Sequence, residues 1–147
     1  MEIKECDKFY YDEKSADRVV AFIQRHIKHI KETNLRRFRT AYICLPRKNG
    51  KSTLISAIAL YMLLADKEPS AECYVAAGDR QQANIIFEVA SSMVRADAQL
   101  NDNLRVFKNS IIHEKSNSSF KAISAEASSK FGYNASFICM DEFFVQK

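Results

Sequence analysis

A single stretch decides the fold: residues 45–53, which read LPRKNGKST. It lies between TAYICL at 40–45, a run of β-forming residues, and an apolar segment at 51–65. The run predicts a buried strand, and the segment predicts a helix that is apolar nearly all round and packs on a sheet. A Gly-Lys-Ser sequence at the N-terminus of such a helix directs backbone N–H groups and the helix dipole towards an oxyanion. The stretch therefore predicts a phosphate-binding loop.

The individual residues of this loop predict how it would hold Mg·ATP. Lys51 can reach the terminal phosphates, and the hydroxyl of Ser52 can bind Mg²⁺. The usual loop has a glycine at the position that Leu45 occupies, so the surrounding strand and helix support the prediction more than the bare pattern does. The candidate nucleotide-binding residues are Arg47, Lys48, Asn49, Gly50, Lys51, Ser52 and Thr53, with Asp141 from a second stretch.

That second stretch, FICMDE at 137–142, supplies the acids that this chemistry needs. Its apolar residues predict a buried strand over 136–140, and the two acids follow at the carboxyl end, where open α/β sheets bind ligands. Asp141 would hold Mg²⁺, and Glu142 would orient and deprotonate the attacking water. Both halves in this order favour nucleotide binding over the alternative, a solvated Lys-Ser turn with an unrelated pair of surface acids.

The remaining pattern predicts an α/β fold with a mostly parallel sheet flanked by helices. Strands alternate with helices in the first part of the chain, which is typical of parallel βαβ units. After Asp97 short alternating segments predict a small antiparallel excursion. The predicted segments are an amphipathic helix at 12–33, a strand at 72–77, a helix at 80–95 capped by Asp79, and short strands at 104–108, 111–115 and 120–125.

The composition sets limits on the function. The 147 residues suit one globular domain, and no apolar run is long enough to span a membrane. The first residues, MEIKECDKFYYDEK, lack the basic and apolar stretches of a signal peptide. The four cysteines form no Cys-x-x-Cys pair, which argues against a zinc site and favours a reducing compartment. A net charge of +4 permits a nucleic-acid partner without requiring one.

Several blocks of the sequence resemble one family. They are YYDE at 10–13, PRKNGKST at 46–53, AAGDRQQA at 76–83, and the segment from Ala125-Glu126 through Gly132 to Asp141-Glu142. Together they resemble the N-terminal ATPase region of the large terminase subunit of tailed bacteriophages, whose loop commonly carries an arginine in place of the early glycines. The resemblance implies a P-loop NTPase fold of the additional-strand class and a DNA-packaging motor that hydrolyses ATP.

The resemblance also implies site roles, partners and location. Arg47 matches the loop arginine that contacts the nucleotide, and it would be catalytic together with Glu142. The implied cofactors are ATP and Mg²⁺, with Ser52 and Asp141 as the metal ligands. The implied partners are double-stranded viral DNA, the terminase small subunit, the portal and procapsid, and further copies of the chain in a homo-oligomer. The implied location is the host cytoplasm.

The sequence departs from the family pattern in three places. Residues 33–40, directly before the predicted strand, lack the Pro and Gln with which terminases commonly contact adenine, and Phe143-Phe144 stand where a histidine is common. The sequence given also ends at Lys147, shortly after the two acids. We therefore expect a truncated or split terminase that is incomplete at its C-terminus and lacks nuclease activity. Residues 1–39 would form a helical segment with a basic connector, and residues 40–147 a partial P-loop ATPase domain.

Two alternatives remain open at this point. A non-catalytic terminase remnant would act only by binding a partner chain, for example one that supplies a missing strand and the nuclease domain. A helicase-like DNA-dependent ATPase would use the same phosphate loop for a different task. Lys51 separates the first alternative from the two ATPases, because only nucleotide binding depends on its side chain.

Overall fold

A computed structural model describes residue 36 and residues 39–46, 48–66, 68–124 and 134–141. The chain divides into two compact units, Met1–Leu54 and Ile55–Lys147. The predicted helix at 12–33 lies outside the described residues, as do the candidate site residues Arg47 and Glu142. The predicted division into a segment before residue 40 and an ATPase domain after it stays a prediction.

Helix α1 spans Lys51–Leu64 and confirms the helix predicted at 51–65. Its sequence contains no glycine or proline, and alanine, leucine, isoleucine and methionine make up most of it, so helix propensity and burial agree. The helix begins directly after Gly50, whose carbonyl accepts the Leu54 N–H at 2.9 Å. Its buried residues lie on more than one side of the helix, as predicted: Ile55, Ser56, Ile58, Ala59, Leu60, Met62 and Leu63.

Strand β1 (Glu72–Ala77) and helix α2 (Arg80–Ala96) follow at the positions that the sequence predicts. A second, short helix α3 (Ala98–Asn103) comes directly after α2. Asp79 caps α2 and Asp97 caps α3, each through its side-chain carboxylate. Among the residues that the structure describes, no helix is long and apolar enough to cross a membrane.

Five described strands form one sheet in the order β2-β3-β4-β1-β5. The strands after α3 are β2 (Arg105–Val106), β3 (Ile111–His113), β4 (Ser118–Ser124) and β5 (Phe137–Met140), with a 3-10 turn at Glu114–Ser116 between β3 and β4. β1 runs parallel to β4 and β5, whereas β3 runs antiparallel to β2 and β4. The antiparallel excursion is thus confirmed. The sheet is mixed rather than mostly parallel, because β4 ends the excursion and is also the parallel neighbour of β1.

The core of the second unit lies between α2 and one face of this sheet. Helix α2 contacts β1 and β4, and the ring of Phe87 stacks on that of Phe120 with the ring centroids 6.0 Å apart. The register places Cys73 beside Phe120, and both side chains are fully buried. Helix α1 contacts α2 through the Ser56 hydroxyl, which donates to the Ile86 carbonyl at 2.9 Å.

Two predictions about strands need correction. The predicted buried strand at 40–45 is wrong, since residues 40–46 form neither strand nor helix and Tyr42 is 66% exposed. Composition favours a strand only where a neighbouring strand completes the hydrogen-bond ladder, and this run is not buried in a sheet. β5 exists as predicted but is not buried, with Ile138 39% and Met140 52% exposed. It lies at one edge of the described sheet, where its only described neighbour is β1.

Candidate functional site

The candidate phosphate loop reaches α1 through a turn that contains two residues in the left-handed region. Lys48 has a φ of 66° and Gly50 has a φ of 69°. Glycine adopts this conformation without a Cβ clash, which explains why a glycine precedes the helix. Lys48 adopts it at a steric cost, and backbone strain of this kind is common where a loop is shaped around a ligand. The sequence pattern gave no sign of this conformation at Lys48.

The first turn of α1 contains three of the predicted nucleotide-binding residues, Lys51, Ser52 and Thr53. All three are half-buried, whereas Lys48 is exposed. The first hydrogen bond of the helix runs from the Leu54 N–H to the Gly50 carbonyl. In an α-helix, the backbone N–H groups that precede this first bond have no acceptor within the helix. The first turn contains no acid that would repel an anion. This end of α1 therefore has the polarity that a phosphate group needs.

Asp141 lies directly beyond β5, in the second unit. Its N–H donates to the Ala76 carbonyl at 2.8 Å, which continues the parallel pairing of β5 with β1. The residue is half-buried. Because β1, β4 and β5 are mutually parallel, Asp141 shares the carboxyl edge of the sheet with the ends of β1 and β4 at Ala77 and Ser124. This is the edge at which open α/β sheets bind ligands.

The N-terminus of α2 lies at the same edge, directly after β1. The Asp79 carboxylate accepts the Gln82 N–H at 2.9 Å, so one of its oxygens serves as the helix cap that the sequence predicted. A Cβ at Gly78 would meet no atom within 4 Å, so close packing does not require glycine there. Asp79 therefore has a structural role at this edge of the sheet, whereas Asp141 is the candidate metal ligand there.

The predicted site residues fall in both units. Residues 48–53 are described in the first unit and Asp141 in the second. Within the described residues, no group of three or more His, Cys, Asp or Glu side chains stands ready to hold a metal ion. The carboxylate of Asp141 is an oxygen donor of the kind that suits Mg²⁺, an ion that commonly keeps several waters among its ligands.

Comparison with known proteins shows which family the chain belongs to. Residues 22–147 match the family model described as terminase large subunit, ATPase domain. The chain belongs to the terminase large subunit family. The chain is also similar to the structure titled "Crystal structure of the HK97 bacteriophage large terminase", with a TM-score of 0.63 and 26% sequence identity. No curated protein matches.

The match to the solved terminase covers 86% of this chain but 30% of that chain. The chain thus spans less than a third of the solved terminase that it resembles. The terminase ATPase domain implies a P-loop fold and nucleotide binding, which agrees with an α/β sheet flanked by helices and with a Gly-Lys-Ser at the start of α1. The resemblance stated from the sequence is therefore confirmed at the level of the family.

Proposed function

We propose that this chain binds and hydrolyses Mg·ATP as the ATPase segment of a motor that packages phage DNA. The observation that carries the proposal is the match of residues 22–147 to the terminase ATPase domain, together with a helix that begins at Lys51, directly after Gly50. The left-handed turn at Lys48 and Gly50 and the acid-free first turn of α1 support it.

The phosphate loop supplies the binding of the nucleotide. In the proposal, the N–H groups of the first turn of α1 donate to the phosphates, and the ammonium group of Lys51 offsets the charge of the terminal phosphate. Arg47 contacts the nucleotide from the loop and offsets the charge that develops during transfer. Lys48, Asn49 and Thr53 complete the lining of the loop.

Mg²⁺ fits the donors that the chain presents. Ser52 offers a hydroxyl oxygen and Asp141 a carboxylate oxygen, and oxygen donors of this kind suit Mg²⁺. The ion supplies charge neutralisation at the phosphates when it is bound. Ser52 and Asp141 would hold it, and Glu142 would take a proton from the water that attacks the terminal phosphate, so that ADP and phosphate leave.

The proposed setting follows from the family. The motor segment acts on double-stranded viral DNA in the host cytoplasm, as a homo-oligomer with the terminase small subunit and the portal of the procapsid. The proposal also assigns the fold of this chain to the additional-strand class of P-loop NTPases.

Release of phosphate from Mg·ATP tests the hydrolysis directly, with and without duplex DNA. Lys51→Ala and Glu142→Gln should each lower the rate by about a hundredfold or more, since one removes a phosphate ligand and the other the general base. Lys115→Ala is the matched control, because Lys115 is an exposed lysine on the turn after β3 and its loss should leave the rate unchanged. A rate that Lys51→Ala and Glu142→Gln do not lower would contradict the proposal. Failure to bind Mg·ATP at all would favour a non-catalytic remnant.

A further inference from the structure

Asn49 and Gly50 form an Asn-Gly pair in the candidate phosphate loop, and this pair is chemically unstable. The sequence contains three glycines, of which only Gly50 follows an asparagine. The backbone nitrogen after an asparagine can attack the side-chain amide carbon of that asparagine. Glycine hinders this attack least, because it has no Cβ and the widest backbone freedom. The loop therefore contains the asparagine of this chain that is most liable to lose its amide.

The structure leaves both reacting groups available. Within the described residues, neither the Gly50 N–H nor the Asn49 side chain makes a hydrogen bond, and Asn49 is only half-buried. The Gly50 carbonyl, by contrast, accepts the Leu54 N–H, so the hydrogen bond that begins α1 does not use the reacting nitrogen. Both residues precede the helix. The hydrogen bonds within α1 therefore do not hold the Gly50 nitrogen away from the Asn49 side chain.

The polarity at the N-terminus of α1 favours the reaction. The attack requires the Gly50 nitrogen to lose its proton, and it places negative charge on the amide oxygen of Asn49. Both atoms belong to residues directly before α1, where the positive end of the helix dipole stabilises negative charge. Lys48 and Lys51 flank the pair in sequence and contribute positive charge of their own. The polarity that suits a phosphate thus also promotes loss of the amide.

We propose that Asn49 is a site of spontaneous deamidation that inactivates the phosphate loop. The Gly50 nitrogen forms a bond to Cγ of Asn49, and the side-chain NH₂ leaves with the proton of that nitrogen as ammonia. The product is a succinimide ring. Water then opens the ring at either of its carbonyl carbons, which leaves aspartate or isoaspartate at position 49. The only co-reactant is water.

Either product places a carboxylate in a loop that has none. The sequence contains no acid between Glu32 and Asp66. A carboxylate at position 49 repels the phosphates that the loop would bind. Isoaspartate also lengthens the backbone by one carbon before Gly50, whose φ of 69° shapes the turn into α1. Both products should therefore lose affinity for Mg·ATP, a consequence that rests on the proposed function.

Bound nucleotide should protect Asn49. Phosphates that accept the N–H groups of the loop keep the Gly50 nitrogen protonated and hold the turn in one conformation. The nitrogen then cannot reach the side-chain amide in its reactive form. The reaction therefore selects chains whose phosphate loop is empty.

Incubation of the full chain in heavy-oxygen water, followed by peptide mass spectrometry, tests the reaction. Heavy oxygen at position 49 separates ring opening in the folded protein from loss of the amide during sample handling. We expect Asn49 to lose its amide severalfold faster than Asn109 and Asn117, which are exposed and precede serines. Asn84, exposed on α2, should keep its amide. Loss at Asn49 no faster than at Asn109 and Asn117 would overturn the proposal.

The rise in melting temperature with Mg·ATP, measured on fresh and incubated protein, tests the consequence. This rise should fall in proportion to the converted fraction of Asn49, and Asn49→Asp should lack it from the start. Asn49→Gln keeps an amide but would have to close a larger ring, which forms more slowly, so its own rise should not change with incubation. A rise that persists in the fully converted chain would overturn inactivation of the loop.

Addition of Mg·ATP during the incubation separates this inference from the proposed function. We expect it to slow the loss at Asn49 and to leave the loss at Asn109 unchanged. A fresh chain that Mg·ATP does not stabilise, but that loses the Asn49 amide at the expected rate, would reject the proposed ATPase and keep the modification site. A fresh chain that Mg·ATP stabilises, but whose Asn49 keeps its amide in the absence of nucleotide, would keep the ATPase and overturn this inference.

Discussion

At the scale of single residues, Ser118 organises the turn between β3 and β4. Its side chain is fully buried. Its hydroxyl oxygen accepts the Ala71 N–H at 3.0 Å and the Ser116 hydroxyl at 2.7 Å. Ser116 in turn lies 2.7 Å from Nδ1 of His113. One buried hydroxyl therefore joins the loop before β1 to the turn that starts β4.

Ser118→Ala should lower the free energy of unfolding by about 1–3 kcal/mol, because it leaves a buried backbone N–H without its acceptor. Urea denaturation of the full chain measures this loss. Ser92→Ala is the matched control, since the Ser92 hydroxyl donates to the Glu88 carbonyl at the exposed surface of α2. A loss for Ser118→Ala no greater than for Ser92→Ala would show that the buried hydrogen bonds do not hold the turn.

Residue-level features were predictable where the cause is local. Asp79 as a helix cap and Gly50 before α1 follow from short-range sequence signals, and the structure has Asp79 as a cap and Gly50 in the left-handed region. The left-handed Lys48 could not be predicted, because lysine disfavours that conformation and only the shape of the whole turn imposes it. The roles of Arg47 and Glu142 stay predictions, since both lie outside the described residues.

At the scale of elements, prediction succeeded for α1 and α2, missed the short helix α3 and failed for one strand. The apolar composition of α1 and the amphipathic periodicity of α2 are properties of consecutive residues, so the sequence locates both helices to within a residue or two. The run at 40–45 has a strand's composition, yet residues 40–46 are not a strand, because pairing depends on chain that is distant in sequence. The short β2 and β3 were predicted because the turn between them is local.

The cap of α2 yields a prediction at this scale. Asp79→Ala should lower the free energy of unfolding by about 0.5–2 kcal/mol, since the Gln82 N–H loses its acceptor. Asp79→Asn should keep most of the stability, because asparagine also caps helices. Chemical denaturation measures both variants. Asp102→Ala serves as the control, because Asp102 is an exposed acid within α3 that no cap uses. Equal stability of Asp79→Ala and Asp102→Ala would contradict a stabilising cap.

At the scale of the whole molecule, the order of the strands in the sheet could not be predicted from the sequence. The parallel strands around β1 follow from the alternation of strands and helices. The pairing of β4 with β1 does not, because it joins segments separated by the entire antiparallel excursion. The family supplies part of the missing information, since its match to residues 22–147 implies a P-loop fold for that part of the chain. Nucleotide binding by the phosphate loop that precedes α1 is the central claim that remains to be tested.

The most direct test of that claim is the melting temperature of the purified chain with and without Mg·ATP, beside Lys51→Ala and Lys115→Ala. A ligand at about 100 times its dissociation constant adds about 2.7 kcal/mol to the native state, which amounts to a rise of several degrees. We expect this rise for the unaltered chain and for Lys115→Ala, and its loss in Lys51→Ala. A chain that melts at the same temperature with and without Mg·ATP, or a rise that Lys51→Ala retains, would contradict nucleotide binding by this loop.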